Sequence, residues 1–283
     1  MSLTRRTVLG LAMGGAVAAV GIGCSRERDG DGAETVTYGP GGSQFLELSR
    51  PKVAGPVPVV VLLHGGFWRD EYDLGLMRPL VPDLLARGWA VANVEYRRLG
   101  ELDAGWPGTF ADVAAAIDHL GSVSGLDPAR VVAVGHSAGG QLAAWAAGRG
   151  GLPPSVVGGQ PTVGLCGVVA QAGVLDLATA ADDLLGGGAV TSLMGGAPES
   201  LPELYRMASP IERLPIGVPI ELLHAPDDPM VPFDQSERFT EAALALGDQV
   251  ALTAVSGGHF ELIDPTTEAW RMTVDAIGRR LLS

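Results

Sequence analysis

The stretch RVVAVGHSAGGQLAAWAA, residues 130–147, joins two kinds of chain at one cluster of small residues. Up to Val134 it is apolar and β-branched, the composition of a strand buried on both faces. From Gln141 it is rich in Ala, Leu and Trp, a helical composition. Between them stands Gly135-His136-Ser137-Ala138-Gly139, with one serine set between glycines. A sharp strand-to-helix turn at that point strains the serine backbone and lifts its hydroxyl clear of the sheet. The flanking glycines let the new helix and the neighbouring strand approach closely. The first N–H groups of the helix have no partner within it and favour negative charge developing beside the serine. The five-residue pattern is weak alone, and its strand-helix context makes Ser137 the candidate nucleophile.

A serine hydroxyl needs a base, and the base needs an orienting acid. The chain has five histidines. His64 and His224 end strands, His119 sits on a helix, and His136 flanks the serine. His259, in SGGHFELI, follows the last predicted strand in a glycine-lined loop, so it is the candidate base. The acid is sought between Ser137 and His259. LLHAPDDPMVP offers Asp227 and Asp228 past a strand; Asp228 is preferred, and Asp227 reads as a solvated turn residue. Asp176 in GVLDL is the runner-up. Developing negative charge on a carbonyl oxygen also needs donors. His64-Gly65-Gly66-Phe67-Trp68 follows a central strand, and its Gly66 or Phe67 N–H supplies one donor. The N–H of Ala138 supplies the second.

The remaining pattern places these residues in a sheet. TVTYG and QFLELSRP read as two strands, antiparallel at a sheet edge. VPVVVLLHGG, WAVANVEYR, RVVAVGHS, CGVVAQAG, VPIELLHAPDD and QVALTAVSGGH read as strands that alternate with helical segments. Strand-helix alternation implies an α/β fold with a mostly parallel central sheet flanked by helices. Residues 176–214 contain no strand and are too long for a plain connector. They read as a short helical lid insertion.

The start of the chain has a different character. TRRTVLGLAMGGAVAAVGIGC carries Arg5-Arg6, then an apolar Gly/Ala-rich run, then small residues before Cys24. That is the layout of an export signal over residues 1–24, and it resembles a twin-arginine signal. Cys24 reads either as the acylated first residue of a lipoprotein or as a small apolar residue of a signal cleaved elsewhere. The polar stretch 25–34 reads as a flexible tether, leaving 35–283 as the folded domain. Cys166 lies in an apolar run and reads as inert packing. A formal charge of −13 repels phosphate backbones, which argues against a nucleic-acid partner. No metal-binding or cofactor motif is signalled.

These pieces together resemble the α/β-hydrolase superfamily, in which nucleophile, acid and base follow one another in the order Ser137, Asp228, His259. HGGFW matches the H-G-G-x-W pattern of the kynurenine formamidase-like and carboxylesterase-like group, and EYRRLG, WPGTFADVAAAIDHL and FELIDP are similar to it as well. The resemblance implies a catalytic triad of Ser137, Asp228 and His259, and an oxyanion loop at Gly65, Gly66 and Phe67 completed by Ala138. It implies an exported serine hydrolase that cleaves small-molecule carboxylic esters without a cofactor, held at a membrane if Cys24 is lipidated. Two alternatives stay open. One is amide, formamide or peptide hydrolysis by the same residues. The other is a non-catalytic binding protein on the hydrolase fold.

Overall fold

The computed structural model describes residues 32–282. The expected export signal with Arg5-Arg6 and Cys24, and the expected tether up to residue 31, lie outside the described residues. Eight strands form one sheet: β1 (Glu34–Thr37), β2 (Phe45–Ser49), β3 (Val57–Leu63), β4 (Ala90–Val94), β5 (Leu126–His136), β6 (Gly167–Gln171), β7 (Ile220–His224) and β8 (Val250–Ala254). Their spatial order is β1-β2-β4-β3-β5-β6-β7-β8. β1 pairs antiparallel with β2, and β2 antiparallel with β4. From β4 through β3 to β8 every pairing is parallel. Eight α-helices are set among them: α1 (Val81–Ala86), α2 (Gly108–His119), α3 (Ala138–Gly148), α4 (Leu177–Asp182), α5 (Leu185–Met194), α6 (Pro202–Ala208), α7 (Asp234–Ala245) and α8 (Glu268–Leu281).

Strand period decides which core each residue joins. Along β3, Val59, Val61 and Leu63 share one apolar layer with Phe110 and Val113 of α2 and Leu142 and Trp145 of α3. Val60 and Leu62 share the other with Leu84 of α1 and Trp270, Val274 and Ile277 of α8. Every residue of β3, β4 and β6 is therefore buried, which explains why these strands read as continuous apolar runs. Cys166 is half-buried beside the second layer, and burial pushes its thiol up from the ordinary cysteine value.

Two points differ from the sequence reading, one of them a boundary. Glu34, assigned to the tether, opens β1 opposite Leu48. Its carboxylate accepts a hydrogen bond from Arg50 at 2.7 Å, so a polar residue joins the sheet edge because its side chain stays outside the core. The second concerns the insertion. Residues 176–214 carry helices and no strand, but they do not stand over the sheet as a separate cover. Leu177, Ala181, Ala189, Val190, Leu193 and Tyr205 are buried in the same layer as α2 and α3. Hydrogen bonds tie the insertion down: the main-chain N–H of Trp106 donates to the Leu193 carbonyl at 2.8 Å, and the Trp145 indole N–H donates to the Met207 carbonyl at 3.0 Å.

This docking makes the insertion part of the core. Leu193 is 1% exposed and Leu184, on the same segment, is 68% exposed. Leu193→Ala is expected to destabilise the protein by about 2–5 kcal/mol, and Leu184→Ala by no more than about 0.5 kcal/mol. Urea unfolding of the two variants measures the difference. Equal midpoints would mean that the insertion is not packed as described.

Candidate active site

Ser137 stands between the end of β5 and the start of α3 with φ 57° and ψ −118°. That conformation is strained for any residue with a Cβ, and its neighbours leave no room to relax. A Cβ on Gly135 would lie 2.0 Å from the Gly139 carbonyl oxygen, and one on Gly139 would lie 2.0 Å from the Leu63 carbonyl oxygen. Only glycine fits at either position, so both glycines of the pattern are explained by backbone approach. The Ser137 N–H donates to the Gln171 carbonyl at 2.8 Å, which ties the turn to β6. Ala138 opens α3 and is fully buried.

His259 lies on the loop after β8 and is buried. Its Nδ1 is 2.6 Å from Asp228 Oδ2. The other carboxylate oxygen of Asp228 accepts the N–H groups of Met230 at 2.8 Å and Val231 at 3.0 Å. Burial alone would push the Asp228 carboxyl up. The nearby His224 imidazole, together with hydrogen bonds from His259, Val231 and Met230, outweighs burial and holds it well below the usual carboxylate range. An ionised Asp228 can only accept, so His259 Nδ1 carries a hydrogen and Nε2 is left able to take one.

The competing acids are elsewhere engaged. Asp227 is exposed. Asp176 caps α4, accepting the Thr179 N–H at 3.2 Å and its hydroxyl at 2.6 Å.

The loop after β3 completes the arrangement. A Cβ on Gly65 would meet Ser137 Cβ at 2.9 Å, and one on Gly66, at φ 110°, would meet Tyr72 Cβ at 2.4 Å. Phe67 and Trp68 follow with φ 51° and 57°. A buried network holds this loop. His64 stacks on Tyr96 with ring centres 4.3 Å apart. His64 Nε2 lies 3.0 Å from Glu95 Oε1, and the Tyr96 hydroxyl donates to the His64 carbonyl at 2.7 Å. Gly66, Phe67, His136, Ser137 and His259 line one cavity, together with Tyr72, Leu76, Met230 and Phe260.

The structure thus brings Ser137, His259, Gly66 and Phe67 to one cavity wall, with Asp228 behind His259 and Gly65 and Ala138 against Ser137. Sequence reasoning missed the supports. Glu95, Tyr96 and His224 lie inside stretches that it quoted, yet their roles depend on contacts across the sheet. His224 faces Asp228, its Nε2 being 3.5 Å from Oδ2, and Nδ1 is 2.8 Å from the Ser236 hydroxyl.

Comparison with known proteins agrees with this architecture. The chain is 28% identical over 259 residues to Esterase LipQ of Mycobacterium tuberculosis, covering 86% of this chain and 60% of that one. It is 27% identical over 268 residues to Esterase LipC of the same organism, covering 86% and 65%. The chain therefore spans about three fifths of the length of the curated relatives it matches. Among solved structures, a truncated carbohydrate esterase from gut microbiota superposes with a TM-score of 0.72 at 22% identity, covering 88% of this chain and 95% of that one. These likenesses establish the α/β-hydrolase fold. Residues 46–243, well over half of the sequence, match the BD-FAE family, and the chain belongs to that family.

Proposed function

We propose that this protein hydrolyses small carboxylic esters through an acyl-enzyme formed on Ser137. The observation that carries the reading is the placement of strained Ser137 and Asp228-bonded His259 on one cavity wall. His259 Nε2 takes the proton of the Ser137 hydroxyl as its oxygen bonds to the substrate carbonyl carbon. Asp228 holds the imidazole tautomer and stabilises the positive charge that forms. The carbonyl oxygen becomes an oxyanion and accepts N–H groups from the Gly66-Phe67 loop and from Ala138. Each such donor is typically worth about 3 kcal/mol in the transition state. The tetrahedral adduct collapses, His259 gives its proton to the leaving alcohol, and the acyl group stays on Ser137. A water, deprotonated by His259, then releases the acid by the same route. The names of the curated relatives, both esterases, support this reaction class.

The cavity also bears on the acyl group. It measures about 20 Å³. A single water needs about 10–15 Å³ on this measure, so the small space favours a short acyl group over a long one. A second reading, formamide cleavage, is favoured by the same observation, because a formyl group is the smallest acyl group, and by HGGFW at residues 64–68. The N-terminal sequence adds a proposal about place: export through the signal over 1–24, with lipid on Cys24 and residues 25–34 spacing the enzyme from a membrane.

Three outcomes check these statements. Asp228→Asn should lower kcat by about 10⁴-fold, while exposed Asp227→Asn should change it by no more than about twofold. Equal small effects would remove Asp228 from the mechanism. On 4-nitrophenyl esters, kcat/KM for the acetate should exceed that for the octanoate by at least about a hundredfold. N-formylkynurenine in the same panel, with Ser137→Ala as control, measures formamide cleavage. A preference for long chains would contradict the acyl assignment, and wild-type protein inert to all esters and to a fluorophosphonate would favour the binding-protein alternative. In cells, Cys24→Ala should abolish membrane association. Wild-type protein found soluble outside the cell, starting beyond Cys24, would replace anchoring with plain secretion.

A further inference from the structure

His136, the residue before Ser137, has no part in the steps above, yet its imidazole is 1% exposed. Its Nε2 lies 2.9 Å from the main-chain carbonyl oxygen of His259. A carbonyl oxygen only accepts, so Nε2 carries the hydrogen and donates it. Nδ1 then holds a lone pair, and it has no hydrogen-bond partner among the described residues. It faces the loop after β3, where a Cβ on Gly65 would lie 3.0 Å from it. A buried polar atom without a partner opposes stability. An apolar ring of similar size would avoid that cost, so packing alone does not account for an imidazole here.

The loop that carries His259 supplies the account. Ser256, Gly257 and Phe260 around it are exposed. Gly257 has φ 106°, a conformation open to glycine and strained for other residues. Within this loop His259 is held at two points. Asp228 takes hold of its side chain at Nδ1. His136 takes hold of its main chain at the carbonyl oxygen. The first contact fixes the direction of the imidazole, and the second fixes where its Cα sits. The second is made by the residue covalently joined to Ser137. The positions of nucleophile and base are thereby coupled through one side chain and one peptide link, rather than through a glycine-rich loop.

We propose that His136 is a positioning residue whose Nε2–H anchors the main chain of His259 and so keeps its imidazole within reach of Ser137. This rests on the reading of Ser137 and His259 as nucleophile and base. The charge state of His136 is consistent with the role. Burial, and then the nearby His259, push its pKa down to about 3. The ring therefore stays neutral 4.5 Å from the His259 ring and adds no positive charge beside the imidazolium that forms during turnover.

The test uses the whole protein and two variants. His136→Phe keeps a ring and removes the donor. His136→Gln keeps an amide N–H at nearly the reach of imidazole Nε2. Three quantities are read: kcat and KM on 4-nitrophenyl acetate, the rate of fluorophosphonate labelling of Ser137, and hydrogen–deuterium exchange of the peptide over residues 256–260. His136→Phe is expected to lower kcat and the labelling rate by about a hundredfold, the scale of a small misplacement of a reacting group. KM should stay within about threefold, because substrate binding does not use this bond. Exchange over 256–260 should accelerate. His136→Gln should recover most of the lost kcat and slow the exchange again. A folded His136→Phe protein with wild-type kcat and exchange overturns the proposal, and so does a His136→Gln protein as impaired as the Phe variant. If His136→Phe does not fold, the Gln variant decides: kcat within about tenfold of wild type upholds the anchor, and a larger loss overturns it. An active wild type beside an equally active Phe variant removes the anchor alone. A wild type that neither turns over ester nor labels at Ser137 removes the ester-hydrolase reading and the anchor with it.

Discussion

Ser137 sits at φ 57° and ψ −118°, and backbone strain of this kind costs on the order of 1–3 kcal/mol and persists only where the surroundings enforce it. The surroundings enforce it from three sides. Gly135 and Gly139 allow α3 to cross within contact of β3 and β5, at separations no Cβ would permit. The Ser137 N–H is held by the Gln171 carbonyl of β6. Gln171 is itself fully buried, with its amide donating to the Leu262 carbonyl at 2.6 Å and to the Thr273 hydroxyl at 2.9 Å. The elbow is thus fastened to three adjacent parallel strands and, through Thr273, to α8. That arrangement needs the central strands to be buried on both faces, which is why the two apolar layers are as extensive as they are.

The electrostatics follow the same economy of fixed parts. Asp228 receives two backbone N–H groups and one imidazole directly, with a second imidazole at 3.5 Å, and needs no exposed cation to stay ionised. Its charge acts on His259 across 2.6 Å, inside a region from which water is largely excluded, where a charge has more effect than in solvent. His224 Nε2 is also 3.0 Å from the Val231 carbonyl, so it steadies the turn that presents Asp228. Asp228 is therefore positioned by its own loop, and His259 by groups from other elements.

Much of this was legible in the sequence, for a physical reason. Strands covered on both sides must be apolar throughout, so β3, β4 and β6 announced themselves as short apolar runs, whereas β8, read the same way, is an edge strand with no buried residue. The pattern around Ser137 was legible because glycine is the only solution to a backbone crossing at contact distance. What could not be read was anything decided by side-chain direction across the sheet. His136 and His224 have the same local setting as many strand-end histidines. Only the fold reveals that one meets the His259 carbonyl and the other Asp228. The buried face of residues 176–214 was hidden for a related reason: Ala189, Val190 and Leu193 are scattered among glycines, and their burial depends on α2 and α3, which are remote in sequence.

The insertion and the cavity are joined at one narrow contact. In α5, Gly186, Gly187 and Gly188 adopt left-handed backbone with φ of 62°, 66° and 82°. A Cβ on Gly186 would strike the Phe67 ring at 2.5 Å, and the Gly186 carbonyl accepts a hydrogen bond from Arg69 at 2.5 Å. Phe67 lines the cavity, so the wall nearest the proposed oxyanion site is backed by a segment whose other end is buried in the core. A substitution in the glycine run would press on Phe67 from behind, without touching Ser137, Asp228 or His259. The shape of the cavity wall and the stability of the core are therefore coupled through Phe67. A lid free to open would separate these two properties, whereas an insertion buried at Ala189, Val190 and Leu193 ties them together.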